Sequence, residues 1–244
     1  MSKQFVVAAN FKCNHTRESF RKYLSELRSL LAAALKQGTQ LKASEVAFFP
    51  PFTALLAKSE FDELAKFLPL TQGAQNFYPA QCGSFTGEIG AQQLEGAGVE
   101  CVMIGHSERR AILGEGEEFL RAKFEFARSR GYKVVYCVGE SLEQRQAGKT
   151  QEVLNAQLNA VELGYENLTI AYEPVWAIGS GVSATPEAVA EALDFLASKT
   201  RAKLLYGGSV SGKNVAQLRE VANCSGVLVG TASWEVQGFL SLLV

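Results

Sequence analysis

Histidine is scarce in this chain and cysteine follows no pattern. His15 and His106 are the only histidines, and no cluster of carboxylates accompanies them, so the usual donor set for a catalytic divalent metal is missing. Cys13, Cys82, Cys101, Cys137 and Cys224 form an odd, scattered set without a CxxC pair. That suggests neither a disulfide framework nor a zinc site and fits reduced thiols in a cytoplasm. Cys101 and Cys137 lie in apolar, β-prone runs and read as small buried hydrophobes. Charge is equally unconcentrated: 24 Lys and Arg stand against 25 Asp and Glu, a formal net charge of -1. No run of like charge is available to meet a nucleic acid or a membrane surface. Long hydrophobic runs are lacking as well, since Met1 to Gln4 lead into the short stretch Phe5–Ala9, too brief for a signal-peptide core or a membrane span. The expectation is a cytoplasmic protein whose partner is a small molecule or another subunit, with no nucleic acid, membrane, metal or cofactor.

What is present suffices for one sizeable core. Hydrophobic residues make up 47% of the chain, and a barrel of about 250 residues commonly forms one domain. Short runs rich in β-branched and aromatic residues recur at Phe5–Phe11, Val46–Phe49, around Leu70–Ala74, Cys101–Ile104, Lys133–Val138, Leu168–Tyr172, Lys203–Tyr206 and Val227–Val229. Between them, Ser19–Leu35, Phe119–Arg130, Glu152–Val161 and Glu187–Ser198 carry helical spacing. Near-continuous apolar strands alternating with helices imply a buried parallel sheet. Eight such units at intervals of roughly 30 residues match a closed (β/α)8 barrel. An open doubly wound sheet stands second, because it more usually has fewer strands and a Gly-rich first turn. The expected fold class is α/β, one (β/α)8-barrel domain over residues 1–244. Thr185-Pro186-Glu187 marks a helix start, with an N-cap, a proline at the first helical position and an acid in the first turn.

In a parallel barrel, chemistry collects where strands end at their C-terminal side. The first run ends in Asn10-Phe11-Lys12, the fourth in Gly105-His106-Ser107-Glu108-Arg109-Arg110 and the sixth in Glu173-Pro174-Val175-Trp176. The seventh and eighth end in Gly207-Gly208-Ser209 and Gly230-Thr231. Taken singly, each has a structural explanation: Lys12 as a solvated strand end, His106 as a satisfied core histidine, Glu173 as an ion-pair partner of Arg109 or Arg110. Their shared place on one barrel face favours a joint functional reading. Glycine turns after the last two strands let backbone N–H groups approach an anion, and this barrel position commonly holds phosphate. The loop Ile178-Gly179-Ser180-Gly181, between stiffer flanks, resembles a hinged lid.

These residues resemble the triosephosphate isomerase family. The carrying motifs are Ala8–Lys12, Ile104–Arg110, Ala171–Gly179 and Tyr206–Val210, in order across nearly the whole chain. The resemblance implies a TIM barrel, a phosphorylated triose substrate and glycolytic isomerisation through an enediolate. In it Glu173 is the base and His106 the neutral electrophile, a pairing for which this family is the usual worked case. It further implies that Lys12 and Asn10 stabilise charge near the phosphate and the enediolate oxygen, and that Glu108 tunes Lys12. Backbone N–H groups at Gly179, Ser209, Gly230 and Thr231 would hold the phosphate, and Tyr206 would support the closed lid. A homodimer is implied as well, through a protruding loop at 75–90 with Thr86 near its tip. Glu88 would pair with Arg109, and Cys13 would face the partner's loop.

Two positions depart from the common family pattern. Thr231 stands where a second glycine is usual, and the lid reads Gly179-Ser180-Gly181-Val182 without its frequent threonine and lysine. A β-branched residue is uncomfortable at positive φ, so Thr231 is expected at negative φ. Three other classes remain open on the residues alone. A Schiff-base lyase would have to use Lys12, since Lys133 and Lys203 begin their strands at the wrong end. A metal-dependent epimerase lacks ligands, and a phosphate-binding protein without activity would have no use for Glu173.

Overall fold

A computed structural model describes residues 4–66, 68–178 and 183–244. Along them strands and helices alternate as β1 (Val6–Asn10), α1 (Arg17–Lys36), β2 (Glu45–Phe49), α2 (Lys58–Ala65), β3 (Leu70–Gln72), α3 (Ala91–Gly96), β4 (Cys101–Ile104), α4 (Ser107–Ala111), α5 (Glu117–Ser129), β5 (Lys133–Val138), α6 (Leu142–Gln146), α7 (Thr150–Leu158), β6 (Leu168–Tyr172), α8 (Pro186–Ala197), β7 (Lys203–Tyr206), α9 (Val215–Glu220), β8 (Gly226–Val229) and α10 (Val236–Leu243). The helix start at Thr185 is built as expected: its side chain accepts the Ala188 N–H at 3.3 Å, and Pro186 opens α8. α1 begins at a reciprocal cap between Thr16 and Ser19 and buries Phe20, Tyr23, Leu24, Leu27 and Leu31, spaced by three and four residues onto one face.

Every strand pairing is parallel, and the sheet runs in the order β3, β2, β1, β8, β7, β6, β5, β4. Its two ends meet at one bridge, where Ala74 donates to the Cys101 carbonyl at 2.9 Å and accepts from the Met103 N–H at 2.8 Å. That join curls the ribbon into an eight-stranded barrel with the helices outside, so the open sheet is set aside.

Successive strand residues face opposite sides, and this alternation divides the apolar residues into two cores. Val6 and Ala8 of β1, Ala47 and Phe49 of β2, Met103, Cys137, Ala171, Leu205 and Leu228 fill the barrel interior. Val7, Ala9, Val46 and Phe48 point the other way, into the layer between sheet and helices. Alternating small and large side chains let the interior layers interlock, and each fully buried Leu or Val contributes roughly 1.5–3 kcal/mol. Lys203 opens its strand at the opposite end of the barrel from the site, bonded to Glu45 at 2.7 Å.

Within the chain, Arg109 donates from Nη2 to Glu115 at 2.7 Å, while Glu88 is exposed on its loop. The same Glu115 oxygen receives Lys123 Nζ at 2.5 Å, and Lys123 also donates to Asn76 at 2.6 Å. Lys123 is only 1% exposed, so its charge has to be met by buried acceptors, and the turn entering α5 brings Glu115 into reach of both cations. Burial pushes the Glu115 carboxyl up, but hydrogen bonds from Arg109 and Lys123 outweigh it and leave the group below its ordinary range.

Candidate active site

The pleat that sorts the core also aims the polar strand ends. Ala8, Ala171, Leu205 and Leu228 face the barrel interior, so Asn10, Glu173, Gly207 and Gly230, two residues further on, stand over the same axis at the C-terminal mouth. They line a cavity of about 390 Å³ together with Lys12, His106, Ser209 and Thr231. After β4, Gly105 takes φ 76°, a left-handed turn that a side chain would strain, and the chain then bends so that His106 caps α4.

Glu173 is 2% exposed, yet both its oxygens are satisfied. Oε2 accepts the Ser107 N–H at 3.0 Å, and Oε1 lies 3.2 Å from His106 Nε2. His106 Nδ1 in turn accepts the Glu108 N–H at 3.2 Å. A ring nitrogen that accepts carries no proton, so the hydrogen sits on Nε2 and the imidazole is the neutral form that donates toward the carboxylate. Glu173 makes no ion pair with Arg109 or Arg110, whose partners are Glu115 and Glu117. Beneath it, burial and then the Glu173 charge push the Cys137 thiol well above its ordinary range, which leaves that sulfur a weak donor and no nucleophile.

Gly207 makes room for this carboxylate, because a Cβ there would fall 2.9 Å from Glu173 Cγ. Gly207→Ala is expected to displace the carboxylate by a few tenths of an ångström and lower kcat by about tenfold, with smaller change in KM. Steady-state kinetics check this; wild-type kcat in the alanine variant would show that the carboxylate tolerates the shift.

Lys12 is held in a costly conformation. Its φ is 50°, and left-handed backbone costs a non-glycine residue about 1–2 kcal/mol. Two side chains fix it: Asn10 Oδ1 accepts the Lys12 N–H at 3.0 Å, and Gln75 Nε2 donates to the Lys12 carbonyl at 2.9 Å and to the Phe49 carbonyl at 2.7 Å. The ammonium points across the cavity mouth to Glu108 Oε1 at 2.6 Å. Neither role was visible in the sequence: Gln75 stood only as the start of the 75–90 loop, and Ser107 stood in the run that ends β4 with nothing to show its N–H turned to Glu173.

At the other side of the cavity Thr231 lies outside the positive-φ set and opens a single helical turn, Thr231–Ser233, so its backbone is ordinary. Asn214 Nδ2 donates to the Ser209 carbonyl at 2.9 Å and steadies that loop. Tyr206 Oη accepts the Ala184 N–H at 3.3 Å, on the segment leading into α8. Gly179 and the rest of the lid stretch, Ser180, Gly181 and Val182, lie outside the described residues. Thr86 is exposed on the loop that crosses from β3 toward α3. Among the described residues no helix is long and apolar enough to cross a membrane.

The family model described as triosephosphate isomerase matches residues 5–244. The chain belongs to that family. The triosephosphate isomerase of Campylobacter hominis is 50% identical over 238 residues, covering 98% of each chain. That of Campylobacter curvus is 50% identical over 235 residues, 96% of this chain and 95% of the relative. That of Nitratiruptor sp. is 46% identical over 240 residues, 98% and 97% of the two chains. An isomerase of this family interconverts dihydroxyacetone phosphate and glyceraldehyde 3-phosphate in glycolysis, and its substrate is a triose phosphate.

Proposed function

We propose that the interconversion runs here by proton transfer through an enediolate, with Glu173 as the base. The observation that carries this reading is the 3.2 Å contact between Glu173 Oε1 and His106 Nε2 at the cavity mouth, with the histidine fixed as a neutral donor. A carboxylate that accepts two N–H bonds has about two lone-pair sites left for a carbon-bound proton. Glu173 takes that proton from the carbon beside the carbonyl, the electron pair moves to the carbonyl oxygen, and the His106 Nε2–H turns from Glu173 Oε1 to that oxygen and stabilises the charge developing there. Proton exchange between the two oxygens and return from Glu173 to the neighbouring carbon complete the isomerisation.

Lys12 and Asn10 supply positive charge and a hydrogen-bond donor to the oxygen and the phosphate, while Glu108 fixes the ammonium's direction. Ser209, Gly230 and Thr231 offer backbone N–H groups to the phosphate, with Gly179 as a further donor, and Tyr206 supports the lid. No cofactor or metal takes part in this scheme. A coupled assay of glyceraldehyde 3-phosphate turnover in chelator tests it: undiminished turnover is the expected result, and a protein that binds phosphate but turns nothing over would return the Schiff-base lyase or non-enzymatic readings.

The same reading includes a homodimer of chains that each form one catalytic domain over residues 1–244, in the cytoplasm. A second cavity, about 610 Å³, opens beside Lys12, Cys13, Gln75 and Glu108. Leu113 lines it and is 62% exposed, and Ile112, the preceding residue in the chain, is 76% exposed. This apolar edge fits the partner's 75–90 loop, with Thr86 reaching toward the site and Glu88 toward Arg109. Sedimentation at micromolar concentration is expected to give a dimer; a fully active monomer would refute the arrangement.

A further inference from the structure

Among the described residues, positive φ outside glycine occurs at two places, Lys12 at 50° and His15 at 72°. Both lie in the loop between β1 and α1. Glycine would adopt the His15 backbone without strain, so the side chain is retained against a backbone cost of about 1 kcal/mol. Its ring nitrogens both face partners: Nε2 lies 2.9 Å from the Trp234 carbonyl, and Nδ1 lies 3.2 Å from Ser19 Oγ. A carbonyl only accepts, which places the hydrogen on Nε2. The ring also packs on Phe11 at 4.7 Å and meets Tyr23 edge-on at 5.5 Å.

The Trp234 carbonyl belongs to the turn that follows β8. Tyr23 Oη donates to the preceding carbonyl, Ser233, at 2.8 Å, and Ser233 Oγ donates to the Gly230 carbonyl at 2.7 Å. His15 and Tyr23 therefore grip two consecutive carbonyls of the segment that carries Gly230 and Thr231. Within the site, Lys12 Cε runs past Gly230, 3.4 Å from where a Cβ would stand. One strained loop thus holds both the Lys12 ammonium and the hydrogen bond that fixes its distance from the β8 turn.

We propose that His15 is a positioning residue, a strut that sets the spacing between the Lys12 ammonium and the Gly230–Thr231 backbone so that both meet one phosphate group. The proposal rests on the reading of Lys12 and the β8 turn as phosphate-facing. His15 itself touches no reacting atom. Without the strut the loop and the turn keep their own folds but lose their common register, and a cation misplaced by even about 1 Å costs a large part of its effect.

His15→Gly is the test, because it relieves the backbone while deleting the strut. The inhibition constant of inorganic phosphate and the KM for glyceraldehyde 3-phosphate are each expected to rise about tenfold, with Tm close to wild type. Added imidazole is expected to lower the phosphate constant again in this variant and to leave the wild type unchanged. Wild-type phosphate inhibition and KM in folded His15→Gly would overturn the proposal. Should that variant fail to fold, Tyr23→Phe removes the parallel bond without touching the loop and is read by the same two constants. Lys12→Met measured alongside keeps the two readings apart: phosphate inhibition unchanged there defeats the role given to Lys12, whereas a shift there with none in the strut variants defeats the strut alone.

Discussion

Glu173→Gln is expected to lower kcat by about 10³- to 10⁴-fold, since positioned proton transfer supplies acceleration of that order. Inorganic phosphate should still bind as in the wild type, because the β8 and β7 turns are untouched. The substitution is nearly isosteric but not neutral to the fold. Both neighbours of the wild-type carboxylate are donors, the Ser107 N–H and His106 Nε2. A glutamine has one oxygen for the two of them, and His106 cannot reverse its tautomer while Nδ1 accepts from Glu108. One buried donor is therefore left facing an amide NH2, at a cost of about 1–3 kcal/mol that urea unfolding can read. Lost turnover with kept phosphate affinity assigns the base to Glu173; a kcat within tenfold of wild type removes it from that role.

Lys12→Met is the second large effect. Methionine keeps most of the stem but removes the ammonium, and kcat/KM is expected to fall about 10³-fold, the scale of losing a preorganised electrostatic donor. The loss goes beyond one positive charge, because Glu108 Oε1, now bonded to Lys12 at 2.6 Å, is left as a bare carboxylate beside an anionic substrate. Glu108→Gln in the Lys12→Met background should therefore recover part of the KM term and none of kcat. A double variant with the same KM as the single one would show that Glu108 only borders the site. Kinetics over a range of ionic strength give a further check, since a long-range charge effect weakens with salt.

Much of this arrangement was legible because a parallel barrel writes its strands as unbroken apolar runs and its site as whatever polar residue ends each run. Asn10, Lys12, His106 and Glu173 were found that way. The ends of strands were less clear: β3 stops at Gln72, short of Ala74, and β8 starts at Gly226 ahead of its apolar run. What stayed hidden were contacts between loop residues with no period to betray them. Gln75 reaches the Lys12 carbonyl across 63 positions and His15 reaches Trp234 across 219. Arg109 also has an intrachain partner that the sequence did not suggest, Glu115 six residues away, since the turn after α4 folds back and buried Lys123 already holds that carboxylate in place.

The barrel's ladder of strand hydrogen bonds is thinnest between β3 and β4, at the lone Ala74 to Val102 bridge. The 75–90 stretch leaves the barrel immediately after that bridge, and in the proposed dimer it is the part that reaches into the neighbouring chain. The neighbour would then act as a hoop around a stave joint, pressing shut the place where the cylinder is least tied to itself. Separation of two such chains and loosening of the joint would become a single cooperative event, so the unit withstanding heat or denaturant would be the pair and not the barrel, and its endurance would depend on protein concentration.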